Sequence, residues 1–187
     1  MLLLILGLAL WWAAHLFKAF APARRAELEE RLGLGPTRLL MTGLLVLSVL
    51  LMTIGYQQAD YIELWYAPWA VHLNNLLMVV AVVLFFAGGF AGHMRHWVRH
   101  PQLSGFKAWA VGHLLVNGHV AGIVLFGGLL AWAVVAMILI NKRDGKGPKP
   151  EPTGMKANLM HAGVSVVAFV VLIGAHTWLG VSPFRGG

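Results

Sequence analysis

The polar positions of this chain fall in a few narrow bands, and the stretches between them are almost wholly apolar. Apolar runs occupy 2–20, 38–56, 68–92 and 157–180, with a longer one from Gln102 to Ile140. Each of the first four is close to the ~20 residues a helix needs to cross the hydrocarbon core. The long run has 39 residues, too many for one crossing, and its one strong turn signal is Asn117-Gly118. A break there predicts a short span, 102–117, and a full one, 119–140. The bands between the runs carry interface and turn chemistry. Pro22–Pro36 is charged and amphipathic, an interfacial helix or loop ended by Gly33-Leu34-Gly35-Pro36. Asp60 and Glu63 lie among Tyr61, Trp65 and Tyr66, with Trp69 just beyond, as at a membrane interface. Gly88-Gly89 and Gly92 allow close approach of a helix or a flat ligand. Asn141–Lys156, rich in Pro, Gly and Lys, reads as a mobile loop. The expected fold is all-α: one integral membrane helical bundle of about six transmembrane helices, the fourth short.

Composition agrees. Of the 187 residues, 59% are hydrophobic and 11% charged, against roughly 25% charged in soluble domains, and the mean hydropathy is +0.74. The net charge of +7 does not indicate nucleic acid, because the basic residues lie in short loops between apolar runs. There they report topology and contact with anionic membrane lipid. With six spans and the N-terminus outside, 13 of the 14 Lys and Arg fall on the inner side, Arg185 alone outside. One helix across 102–140 would send the five of 142–156 outside, so charge and turn chemistry favour the same break. No positive charge precedes the first run, and Lys18, Arg24 and Arg25 follow it. That order is the reverse of a signal peptide, so the run is expected to be retained. The absence of cysteine excludes disulfides, thiolate ligands and a cysteine nucleophile.

Nine histidines in so apolar a chain ask for chemistry, because ionisable groups within spans usually face a cavity or a partner. His93, His96 and His100, at i, i+3 and i+7, could share a metal, but the interleaved Arg95 and Arg99 disfavour a divalent cation and suit an anion. His119 falls at the turn, and His161 and His176 near opposite ends of one span; all three read as interfacial, while His72 shares a face with Asn75 near the outer end of another. His15 and His113 lie inside spans beside large aromatics (Trp11, Trp12, Phe106, Trp109). Two neutral imidazoles from two helices can hold a haem within a bundle, or each can simply hydrogen-bond across helices. Gln102, His113 and Asn117 share a stripe, since eleven residues turn only about 20° beyond whole turns and four more about 40°.

The run Arg99-His100-Pro101-Gln102, then Trp109, Gly112-His113-Leu114-Leu115, Asn117-Gly118 and Leu125-Phe126-Gly127-Gly128, resembles the NnrU family of small bacterial membrane proteins. It is also similar to the plastid zeta-carotene isomerase branch of that family. The resemblance covers roughly residues 1–140. It implies a multi-pass protein of the cell inner membrane, with His15 and His113 as ligands of a b-type haem iron. Arg95 and Arg99 would pair with the haem propionates, and Gln102 and Asn117 would complete the site. It further implies either isomerisation of a cis double bond in a polyene such as a carotenoid, or a role in denitrification and nitric oxide metabolism. Ala110 stands where the isomerases carry a cysteine, so a thiolate ligand switch is unavailable. An Arg-His-Pro turn before a helix also resembles isoprenylcysteine methyltransferases, which use S-adenosylmethionine. Their paired glutamates have only Glu151 as a counterpart here.

Overall fold

The computed structural model describes residues 1–187 apart from 91, 146–150, 153 and 182–187. Among the described residues it forms eight helices: α1 (Leu2–Phe20), α2 (Pro22–Leu32), α3 (Leu34–Gln57), α4 (Ala70–Ala87), α5 (His93–Trp97), α6 (Pro101–Val116), α7 (Val120–Asp144) and α8 (Met155–Trp178). The described residues form no strand, and one isolated bridge pairs Glu63 with His119. Helices α1, α3, α4, α7 and α8 are long and apolar enough to cross a membrane. The pattern of exposure is inside out for a soluble protein, with Val170 on α8 62% exposed while Ser48 is 0%. This is a membrane helical bundle.

Small residues set how closely the helices approach. Gly7 lies so near α3 that a Cβ there would meet Met52 N at 2.7 Å and Ser48 O at 2.8 Å, and Gly55 sits against the backbone of Leu4. On α6, a Cβ at Gly105 would meet Ala81 O at 2.5 Å and Phe85 N at 2.7 Å of α4. These contacts make α1 and α3, and α4 and α6, closely packed antiparallel pairs. Helix α6 also runs antiparallel to α7, with Trp109 beside Phe126 at one end and His100 bonded to Asn141 at the other. Helix α1 runs parallel to α7: Trp12 donates its indole N–H to Gly128 O (3.1 Å), and Leu16 packs with Trp132, Ala133 and Ala136. Helix α8 is held to α4 by His161 Nε2–H, which donates to Val83 O at 2.7 Å. These directions gather Lys18, Arg38, Arg99, Lys142 and Lys156 at one end of the bundle, the basic end.

The opposite end carries the predicted break. Helix α6 stops at Val116, and the carbonyl of Gly118 accepts the N–H groups of Leu64 (2.7 Å) and Trp65 (3.0 Å). Val120 N–H donates to Ile62 O at 3.0 Å. The acidic aromatic loop thus supplies the backbone partners that the broken helix lacks. Gly118 is required because any Cβ there would strike the Trp65 carbonyl.

Several expected boundaries move. The second span begins at Leu34 rather than 38, because Pro36 sits in the first turn, where its missing N–H costs nothing. The third ends at Ala87, and α7 continues through Asp144. The first residues of the expected mobile loop, Asn141–Asp144, are therefore helical, and 146–150 and 153 of that loop lie outside the described residues. The segment after α1 is a helix with Pro22 at its start and the pairs Arg25–Glu29 (2.8 Å) and Arg31–Glu27 (2.6 Å). It stops where Gly33 adopts φ 85°, a left-handed value that favours glycine. Within α7, residues Ile123–Gly127 form a π-helical turn.

Candidate functional site

The predicted site residues divide between the two ends of α6. At the basic end, Arg95 and Arg99 are exposed, and Arg99 donates to the Gly145 carbonyl. His100 bonds Asn141 Oδ1 at 2.7 Å. Val98, Arg99, His100, Ser104, Met137, Asn141 and Gly145 line an open cleft of about 500 Å³ there. Gln102 lies against Gly88 of α4, eleven residues, or about 16 Å of helix, from His113. Gln102 therefore packs on α4 while the His113 ring rests against Phe126 of α7, and the expected stripe does not bring Gln102 to His113 and Asn117. His93 bonds Asn158 of α8 (2.7 Å), whereas His100 faces α7. The basic end thus docks its histidines on different helices, and no cluster able to hold a metal occurs among the described residues.

At the other end, a directed hydrogen-bond chain surrounds the break. His119 caps α7 by accepting Gly122 N–H on Nδ1 (3.2 Å), which leaves the proton of the neutral ring on Nε2. That Nε2–H donates to the Tyr56 hydroxyl at 2.9 Å, and Tyr56 donates to Asn117 Oδ1 at 3.4 Å. Asn117 Nδ2 donates to His113 O at 2.8 Å. Burial holds the His119 imidazole below the ordinary histidine value. Tyr61, whose ring lies 5.0 Å from His119, is pushed up because the Glu63 carboxylate accepts its hydroxyl.

His15 and His113 lie at the two ends of one row of aromatic rings. The ring of His15 is 4.1 Å from Trp11 and 4.6 Å from Trp132. Trp132 is 5.2 Å from Phe106, and Phe106 is 5.1 Å from Trp109. Trp109 is 4.9 Å from His113, which is 4.8 Å from Phe126. Both histidines return Nδ1–H to the carbonyl one turn back, His15 to Trp11 O (3.1 Å) and His113 to Trp109 O (3.0 Å). That bond fixes the tautomer and leaves each Nε2 lone pair available as a ligand. His176 does the same with Leu172 O (2.8 Å).

The donor chemistry suits a haem iron at either histidine, but the separation does not suit one iron shared by both. Two imidazoles bonding one metal at about 2 Å place their nitrogens about 4 Å apart. Here the rings rest against Phe126 and Trp132, six residues apart on α7, or about 9 Å of rise, and the tryptophans and Phe106 fill the interval. Arg95 and Arg99 also lie at the end of α6 remote from His113.

Several functional residues were not legible as such. His119 and His161 read as interfacial, yet His119 organises the break, and His161, only 8% exposed, holds α8. The proximity of Asn117-Gly118 to His119 was the available signal for the first; nothing local marked Val83 as partner to the second. Glu151 is exposed in the segment before α8.

No curated protein and no solved structure matches the chain. A family model described as NnrU protein matches residues 3–183, nearly its whole length, so the chain belongs to the NnrU family.

Proposed function

We propose that this NnrU-family chain is a six-span inner-membrane protein, N-terminus outside, that binds haem through His113. The topology is supported by α6, which lies antiparallel between α4 and α7 like a crossing helix. The gathering of the basic residues at one end agrees with the positive-inside rule. The observation that carries the haem reading is His113 itself. Its Nδ1–H is held by Trp109 O, its Nε2 is left as a ligand, and Trp109 and Phe126 supply flat apolar walls. A haem held by His113 would supply a redox-active iron, the chemistry a nitric oxide-related role or polyene isomerisation would use. The chain's own contribution is orientation: Asn117, bonded to the His113 carbonyl, fixes the last turn of α6 on which the ligand stands.

Purified protein made with ample haem is expected to show a Soret band that is lost in His113→Ala and retained in His15→Ala. A colourless wild-type protein, or a band that survives His113→Ala, overturns the reading.

A further inference from the structure

Trp11 and Trp132 each bury an indole N–H that has no hydrogen-bond partner among the described residues. Trp132 is only 7% exposed. The neighbouring Trp12 shows that an indole in this region can find a carbonyl, since it donates to Gly128 O at 3.1 Å. The two orphaned donors are not scattered. Their rings lie 5.2 Å apart, and His15 touches both, at 4.1 and 4.6 Å. With Nδ1–H committed to Trp11 O, His15 offers one acceptor, Nε2, which has no partner among the described residues. Buried polar atoms are rarely left unpaired, and a group of them marks a missing partner.

We infer that Trp11, Trp132 and His15 form a binding site for a single neutral hydroxyl oxygen. The inventory of the site selects that group. A hydroxyl has two lone pairs for the two indole donors and one proton for His15 Nε2. A carbonyl or ether would satisfy the indoles but leave the imidazole unpaired. An ammonium could accept from neither indole, and a carboxylate would bring a charge with no cation among these three side chains. The hydroxyl has two sources, a water or the head of an apolar alcohol. For the second there is apolar space beside the site, since Trp11 also lines an apolar groove of about 270 Å³ with Thr42, Leu45, Val46, Val49 and Leu50. That volume is several times the ~30 Å³ share of one water and suits a hydrocarbon chain.

The inference does not rest on the haem reading, which the Soret band of His113 variants tests separately. Its own readout is the pair of indole N–H resonances of the full chain, labelled with ¹⁵N-tryptophan in nanodiscs of phosphatidylcholine, a lipid without hydroxyls. The signals are assigned with Trp11→Phe and Trp132→Phe. Both are expected at hydrogen-bonded shifts, and both should move in His15→Leu but stay in place in His15→Gln, which keeps an acceptor. Hexadecanol and hexadecyl methyl ether then separate the sources. A saturable shift with the alcohol, about tenfold weaker with the ether for the lost bond to Nε2, assigns the site to an apolar alcohol. Bonded signals that ignore both compounds yet respond to His15→Leu assign it to a water. Indole signals at unbonded positions, or equal response to alcohol and ether, overturn the proposal.

Discussion

The close contact of α4 with α6 determines where His113 stands, and Gly105 is its tightest point. Replacing Gly105 with alanine places a Cβ 2.5 Å from Ala81 O and 2.7 Å from Phe85 N, where ordinary contact begins at 3.4 Å. Both obstacles are backbone, so no side chain can turn away and the helices must separate by somewhat under about 1 Å. A gap of that size forfeits roughly a quarter to a half of the dispersion attraction along the interface, and overpacking of this kind costs about 1–3 kcal/mol. Alanine returns up to about 1 kcal/mol in helix propensity. The expected net loss for Gly105→Ala is about 1 kcal/mol, roughly fivefold in the folding equilibrium. Two companion variants make the test internal. Gly163→Ala on α8 has nothing within 4 Å and should be neutral or slightly stabilising. Gly112→Ala meets the Met78 methyl at 2.5 Å and Asn74 Oδ1 at 2.9 Å, side-chain ends that can give way, and should fall between. Equilibrium unfolding by steric trapping in bicelles measures all three. A Gly105→Ala protein as stable as Gly163→Ala would falsify the packing argument.

Tyr56→Phe removes both the acceptor for His119 Nε2–H and the donor to Asn117; a loss of about 1 kcal/mol is expected, with non-additivity toward Asn117→Ala in a double-mutant cycle. Because burial lowers the folded-state value of His119, its contribution is full above the unfolded value of about 6.5. It is lost as pH falls through that value to the lowered one, since there the unfolded chain binds more protons. Thermal stability of wild type should therefore drop between pH 7.5 and 5 by more than that of His119→Gln, and equal slopes would count against it. His161→Leu should cost about 0.6 kcal/mol through the lost bond to Val83 and raise amide hydrogen exchange in α8 while leaving α1 and α3 unchanged.

The helices were legible because apolar runs of membrane length leave little choice, and the Asn117-Gly118 break because turn chemistry and charge parity agreed. The reach of α7 through Asp144 was hidden by the Lys, Arg and Asp that end it, which resemble a loop in composition while forming helical backbone bonds. At the site, His15 and His113 were rightly singled out as interior imidazoles among aromatics. Their depth was not legible, because it depends on how α1, α6 and α7 are offset, and that offset is set by distant glycine contacts such as Gly7 and Gly105. The orphaned N–H of Trp132 could not be foreseen at all, since an indole at that position looks like any lipid-facing aromatic.

The π turn at Ile123–Gly127 acts as a phase shifter. Each residue of a helix advances the side-chain direction by about 100°, so the widened turn sets the facing of Trp132, Ala136 and Asn141 independently of His119 and Val120. Deleting one residue within it would restore a regular helix with both halves of α7 close to their present facing, whereas a deletion in the regular helix before Trp132 would swing the basic half by about 100° and carry Trp132 away from His15 and Asn141 away from His100. The π turn is thus the one stretch of this rod where a single residue can be removed while the break end and the basic end keep their relation to each other.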